Sequence, residues 1–100
     1  MHPIHTARLD KVRPVLVLTR ADVRPHRSRV TVATITSTVR GLSVEVPVGP
    51  ADGLDHPSVV NLDEITTILV DDLGPQIGQL AAAKEAALAA AAFHAFGLDW

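Results

Sequence analysis

The sequence contains no cysteine, which removes disulfides, thiolate metal sites and a cysteine nucleophile and fits a cytoplasmic protein. Its six glycines are scattered and form no phosphate-binding loop, which argues against a nucleotide cofactor. No Gly-x-Ser-x-Gly turn offers an activated serine. The five histidines (His2, His5, His26, His56, His94) include no pair at i, i+4 spacing and no accompanying carboxylate arrangement, so neither a metal centre nor any other cofactor is expected. Aromatic side chains are restricted to Phe93, Phe96 and Trp100. Outside the C-terminal alanine tract no stretch approaches 18 apolar residues, and Met1-His2-Pro3-Ile4 lacks the basic start and apolar run of a secretory leader. A soluble protein with no membrane partner is the expectation.

What is present is a chain of 100 residues, 47% hydrophobic and 20% charged, which sets the expectation of one domain over residues 1–100. The net charge of -2 hides a partition. Residues 1–40 carry eight basic side chains against Asp10 and Asp22, whereas residues 41–100 carry Lys84 against nine acids. Seven of the eight N-terminal bases are arginine, the side chain that grips phosphate bidentately and stacks on bases. A basic face for a polyanion competes here with the plainer reading of arginines that solubilise a sheet.

Hydrophobic periodicity predicts a β-rich body with one terminal helix. Ile4–Leu9 reads as a short edge strand, Val15–Thr19 as a strand buried on both faces, and Arg20–Ser28 as a loop. Arg29–Thr36 is a strand whose apolar phase shifts between Val32 and Ile35, the mark of a bulge or bend. Leu42, Val44, Val46 and Val48 alternate with polar residues as a half-buried strand. Ser58–Leu62 and Thr66–Val70 read as two strands separated by an Asp63-Glu64 corner, and Gln76–Phe96 as a helix dominated by alanine. On that helix Leu80 and Leu88 share a face and Phe93 falls nearly opposite, so the sheet is expected on one side and another chain on the other. Phe96 and Trp100 are expected to pack the helix. Six short strands and a terminal helix suggest a small, strongly bent antiparallel barrel, mainly β in class.

The chemistry-bearing feature is Arg13, at the mouth of Val12-Arg13-Pro14-Val15-Leu16-Val17-Leu18, with the hydroxyl-rich Thr34-Ile35-Thr36-Ser37-Thr38 some two dozen residues later. A guanidinium held at the rim of a core beside a row of hydroxyls is equipped to grip a phosphate. The alternative is a structural salt bridge at a strand end. These segments, together with Ser58-Val59-Val60-Asn61-Leu62-Asp63-Glu64-Ile65, Leu73 and Ile77-Gly78-Gln79-Leu80, resemble in order and spacing the MazF/PemK family of toxin endoribonucleases. They look close to its actinobacterial members, and the likeness spans nearly the whole chain.

The resemblance implies a homodimer of small SH3-like (CcdB-like) barrels that acts as the toxin of a type II toxin-antitoxin system. It implies metal-independent cutting of single-stranded RNA, in which the ribose 2'-hydroxyl attacks the adjacent phosphate and leaves a 2',3'-cyclic phosphate and a 5'-hydroxyl. The family's catalytic arginine falls on Arg13 and its catalytic threonine on Thr36. A related branch uses an arginine and an aspartate where this chain has Asn61 and Asp63, so Asp63 is carried over alone; Asp63 and His26 are the candidates for substrate orientation or proton acceptance. RNA binding is expected from Arg24, Arg27, Arg29 and Arg40 around one face, with Ser37 and Thr38. A cognate antitoxin with an acidic, partly disordered segment would lie across the groove and mask Arg13. Two rival readings are a CcdB-like gyrase poison acting through Phe96-Gly97-Leu98-Asp99-Trp100 and an RNA-binding barrel that cuts nothing.

Overall fold

A computed structural model describes residues 2–99. Six antiparallel strands form one sheet in the order β4-β5-β3-β2-β1-β6. They are β1 (Pro3–Arg8), β2 (Val12–Val17), β3 (Arg29–Thr36), β4 (Glu45–Val48), β5 (Ser58–Leu69) and β6 (Leu73–Gln79), followed by helix α1 (Glu85–Ala95). The sheet is strongly bent, and β4 and β6 are its edges and are not paired with each other, so the expected small antiparallel barrel, mainly β with a C-terminal helix, is one that does not close.

Three expectations are corrected. The strand at the N-terminus is no edge, because β1 pairs with β2 on one side and β6 on the other. The helix begins at Glu85, and Gln76–Gln79 belongs to β6. Leu80, expected on the helix, is fully buried just after that strand, its N–H bonded to the carbonyl of His2. Packing decides this segment: a Cβ on Gly78 would collide with the carbonyl oxygen of Asp52, and one on Gly53, at φ +96°, with that of Ile77. Only glycine allows two backbones to approach this tightly. Finally, the segments expected as two strands form the single strand β5. Both edge strands contain a proline, Pro47 and Pro75, which an edge tolerates because a missing N–H there costs no ladder bond.

The bend has a local cause. Ala33 pairs with Ile65 while Thr34 pairs with Asn61, so Leu62, Asp63 and Glu64 of β5 have no counterpart on β3. The expected phase shift in β3 is matched at this position, with the extra residues on its partner. On either side of the bend lie two apolar clusters. The larger packs Ile4, Leu16, Ile35, Val46, Val60 and Leu62 beneath Leu88 and Ala91 of α1; the smaller packs Ala7, Val15, Val17, Val30 and Val32 on the opposite face. Phe93 and Phe96 remain more than half exposed, and Trp100 lies outside the described residues.

Loop and helix are tied together by one buried acid. The Asp52 carboxylate accepts hydrogen bonds from the N–H groups of Gly49 (2.9 Å) and Ala81 (2.8 Å) and from Lys84 Nζ (2.6 Å). Burial pushes its pKa up, but the Lys84 ammonium and the two N–H donors outweigh that and hold it below the usual value.

Candidate active site

Antiparallel topology sorts the chemistry-bearing residues by strand end. The β1–β2 turn, the end of β3 and the bend of β5 meet at one end of the sheet, and the β2–β3 connection lies at the other. Pairing of β2 with β3 runs from Val17↔Val32 to Val15↔Thr34 and stops there; Pro14 has no N–H to extend it. Continuing the register by two steps, through Pro14 and Ile35, sets Thr36 opposite Arg13 in the unzipped end.

Two clefts meet at this pair. The first, of about 350 Å³, is lined by Asp10, Arg13, Thr34, Thr36, Thr38 and Arg40 together with Glu45, Asn61 and Glu64. The second, of about 500 Å³, contains Lys11, Arg13, Thr36, Ser37, Asp55 and His56 over an apolar floor that includes Leu54 and Ile77. Because Arg13 and Thr36 line both, they form the ridge between them.

Arg13 is held without being buried. Its Nε donates to Asp10 Oδ1 at 2.9 Å and its Nη2 to Oδ2 at 3.0 Å, and the side chain keeps a third of its surface exposed. A guanidinium has five N–H donors. Asp10 takes one side of the fork, and no other partner for the remaining donors occurs among the described residues. The hydrogen bond with Asp10 raises the Arg13 pKa, aided by the field of Glu64, and that same bond holds the Asp10 carboxyl well below the usual carboxylate range. The group is a fixed cation with an open, bidentate edge, the geometry that suits a phosphate. Thr36 Oγ1 accepts from the N–H of Thr38 at 3.1 Å, which leaves its hydroxyl proton available to donate.

The other expected residues divide. Thr38 and Arg40 line the first cleft and Ser37 the second. Asp63 lines neither cleft: its N–H is bonded to Asn61 Oδ1, and the bend turns Glu64 into the first cleft in its place. His26 lies on the exposed 3-10 turn Arg24–His26 in the β2–β3 connection. Arg27 and Arg29 line a separate basic hollow with Arg20 and Thr31, and Arg24 sits on the same turn as His26. Strands rise about 3.3 Å per residue, so the seven steps from Arg29 to Thr36 place that hollow roughly 23 Å away. Thr31 also points to the opposite face from Thr34 and Thr36 by strand alternation. The expectation of Arg24, Arg27, Arg29 and Arg40 around one face is therefore corrected: of these four, only Arg40 stands with Arg13.

Asp10 and Glu64 were not singled out from the sequence. The signal for Asp10 was an acid three residues before Arg13 across a strand turn; for Glu64 it was the acidic corner that interrupts an apolar run. Among the described residues no three His, Cys, Asp or Glu side chains converge as metal ligands, and no helix is long and apolar enough to cross a membrane.

Comparison with known proteins gives this geometry a family. Endoribonuclease MazF3 of Mycobacterium tuberculosis is 62% identical over 100 residues, covering all of this chain and 97% of that protein. The solved structure of the Mycobacterium tuberculosis toxin MazF-mt6 superposes with a TM-score of 0.95 at 62% identity, over 98% of this chain and 99% of that one. A mycobacterial endoribonuclease solved in complex with its cognate antitoxin superposes with a TM-score of 0.87 at 28% identity, over 98% and 94% of the two chains. Residues 3–96 match the family model described as PemK-like, MazF-like toxin of type II toxin-antitoxin system, and the chain belongs to that family.

Proposed function

We propose that this chain, an endoribonuclease like its MazF relatives, cuts single-stranded RNA at the ridge formed by Arg13 and Thr36. The substrate supplies its own nucleophile. The task left to the protein is to align the 2'-oxygen with the departing 5'-oxygen and to stabilise charge on the phosphoryl oxygens. Arg13, oriented by Asp10, offers its open edge to two of those oxygens, and Thr36 donates a further hydrogen bond. The 2'-oxygen–phosphorus bond forms as the phosphorus–5'-oxygen bond breaks, giving a 2',3'-cyclic phosphate and a 5'-hydroxyl. Ser37, Thr38 and Arg40 bind the flanking strand. With so few aromatic side chains, bases are read by arginine planes, side-chain polar groups and main chain.

The observation that carries this reading is the exposed, half-occupied fork of Arg13 beside Thr36 on a ridge open to two clefts. A homodimer and an antitoxin segment that covers Arg13 belong to the same proposal; the antitoxin-bound relative at 28% identity supports the second. The test is cutting of total cellular RNA in EDTA, with both new ends mapped chemically. Cyclic phosphate and 5'-hydroxyl ends at a short recurring motif, lost in Arg13→Ala, are the expected result. RNA bound but left intact would favour a binding protein, and growth arrest without RNA cutting would favour a gyrase poison.

A further inference from the structure

The proton transfers of the cutting reaction have no assigned groups, and the two clefts supply them on opposite sides of the ridge. In-line displacement puts the attacking and departing oxygens on opposite sides of phosphorus. A phosphate seated on Arg13 and Thr36 therefore directs one oxygen into each cleft. Building on the function proposed above, we propose that Glu64 in the first cleft accepts the proton of the attacking 2'-hydroxyl while His56 in the second donates a proton to the departing 5'-oxygen.

Elimination within each cleft leads to these two residues. Arginine stays protonated and cannot act as a base. In the first cleft Asp10 is tied to Arg13, and Glu45 accepts hydrogen bonds from the backbone N–H groups of Arg40 and Leu42. Glu64 is the carboxylate there with no hydrogen bond among the described residues, and it is exposed. Asp10, Arg13, Arg40 and Glu45 share that cleft with it. In the second cleft the titratable groups beside Arg13 are Lys11, Asp55 and His56. Of these three side-chain types, imidazole is the one that exchanges a proton near neutral pH. The sheet bend positions Glu64 and the loop before β5 positions His56, so neither depends on the β2–β3 connection.

The step balances. As the 2'-oxygen–phosphorus bond forms, the proton of the 2'-hydroxyl passes to Glu64. The electron pair of the breaking phosphorus–5'-oxygen bond takes the proton of the His56 imidazolium. Exchange with water then resets both groups.

A substrate with sulfur in place of the 5'-oxygen separates the two roles, because a thiolate departs without a proton donor. The probes are two oligonucleotides spanning one mapped cut site, one ordinary and one with a 5'-bridging sulfur, each cut by the full chain and its variants. His56→Gln should slow the ordinary substrate by roughly 10² or more, lose the alkaline limb of the pH profile, and cut the sulfur substrate at close to the wild-type rate. Glu64→Gln should slow both substrates by roughly 10² or more. His56→Gln affecting both substrates alike, or neither, overturns the proposal, as does wild-type cutting by Glu64→Gln. Arg13→Ala keeps the readings apart: full cutting by that variant sinks the proposed active site itself, whatever the other two variants do.

Discussion

The Arg13–Asp10 pair sits in the open at a cleft, and the Lys84–Asp52 pair closes around a carboxylate with no exposed surface. Both join a base to an acid at short range, yet their neighbours differ. Asp52 accepts from three donors, Gly49 N–H, Ala81 N–H and Lys84 Nζ, so its charge is consumed in joining the loop after β4 to the start of α1. Arg13 spends part of its fork on Asp10 and keeps the rest facing solvent. The lesson is that satisfaction, more than the presence of an ion pair, separates a group that holds the fold from one that awaits a ligand. An exposed pair contributes little to stability, whereas breaking a buried one strands a charge.

Breaking the comparison at its exposed side should have the largest effect on activity. Arg13→Ala is expected to lower RNA cutting by on the order of 10² to 10³, with the melting temperature unchanged by calorimetry. On the buried side, Asp52→Ala should cost about 3 kcal/mol in urea unfolding while folded protein still cuts. The same residue gives the pH dependence its sign. Its folded pKa is lowered, so its contribution is present above the unfolded carboxylate value of about 4 and is lost as pH falls through the folded value. Acid unfolding should therefore be shallower in Asp52→Asn than in the wild type. A finer test is Asp10→Asn, which should reduce cutting roughly tenfold through a mis-set guanidinium, with unchanged melting. The smallest effect belongs to Arg27→Ala combined with Arg29→Ala: a short oligonucleotide should be cut within about twofold of the wild-type rate, as for surface changes elsewhere. A large loss there would join the distant hollow to the site.

Much of the body was legible because it rests on local periodicity. Strand β3 was expected at Arg29–Thr36 and spans those residues; of the expected alternation Leu42, Val44, Val46 and Val48, the three valines are buried, whereas Leu42 is exposed and the strand begins only at Glu45. The misreadings are all tertiary. Gln76–Gln79 joined the helix in the sequence reading because alanines follow, but Gly74, Pro75 and Gly78 fit an edge strand pressed against the Asp52 loop. The acidic corner was seen, though whether Asp63 or Glu64 enters the cleft depends on a register shift that only the pairing with β3 reveals. Arg24, Arg27 and Arg29 were grouped with Arg13 because sequence charge has no direction; the hairpin sends them to the far end. Arg13 and Thr36 were legible as a pair through resemblance, and Asp10 was not, since its role exists only once the turn folds back.

Pro47 and Pro75 carry a consequence of their own. An open sheet presents two lateral rims where a foreign strand could zip on and start a fibril, a hazard that grows with concentration. Each rim of this sheet is interrupted by an imide nitrogen with nothing to donate, so accumulation of the chain should leave it dispersed.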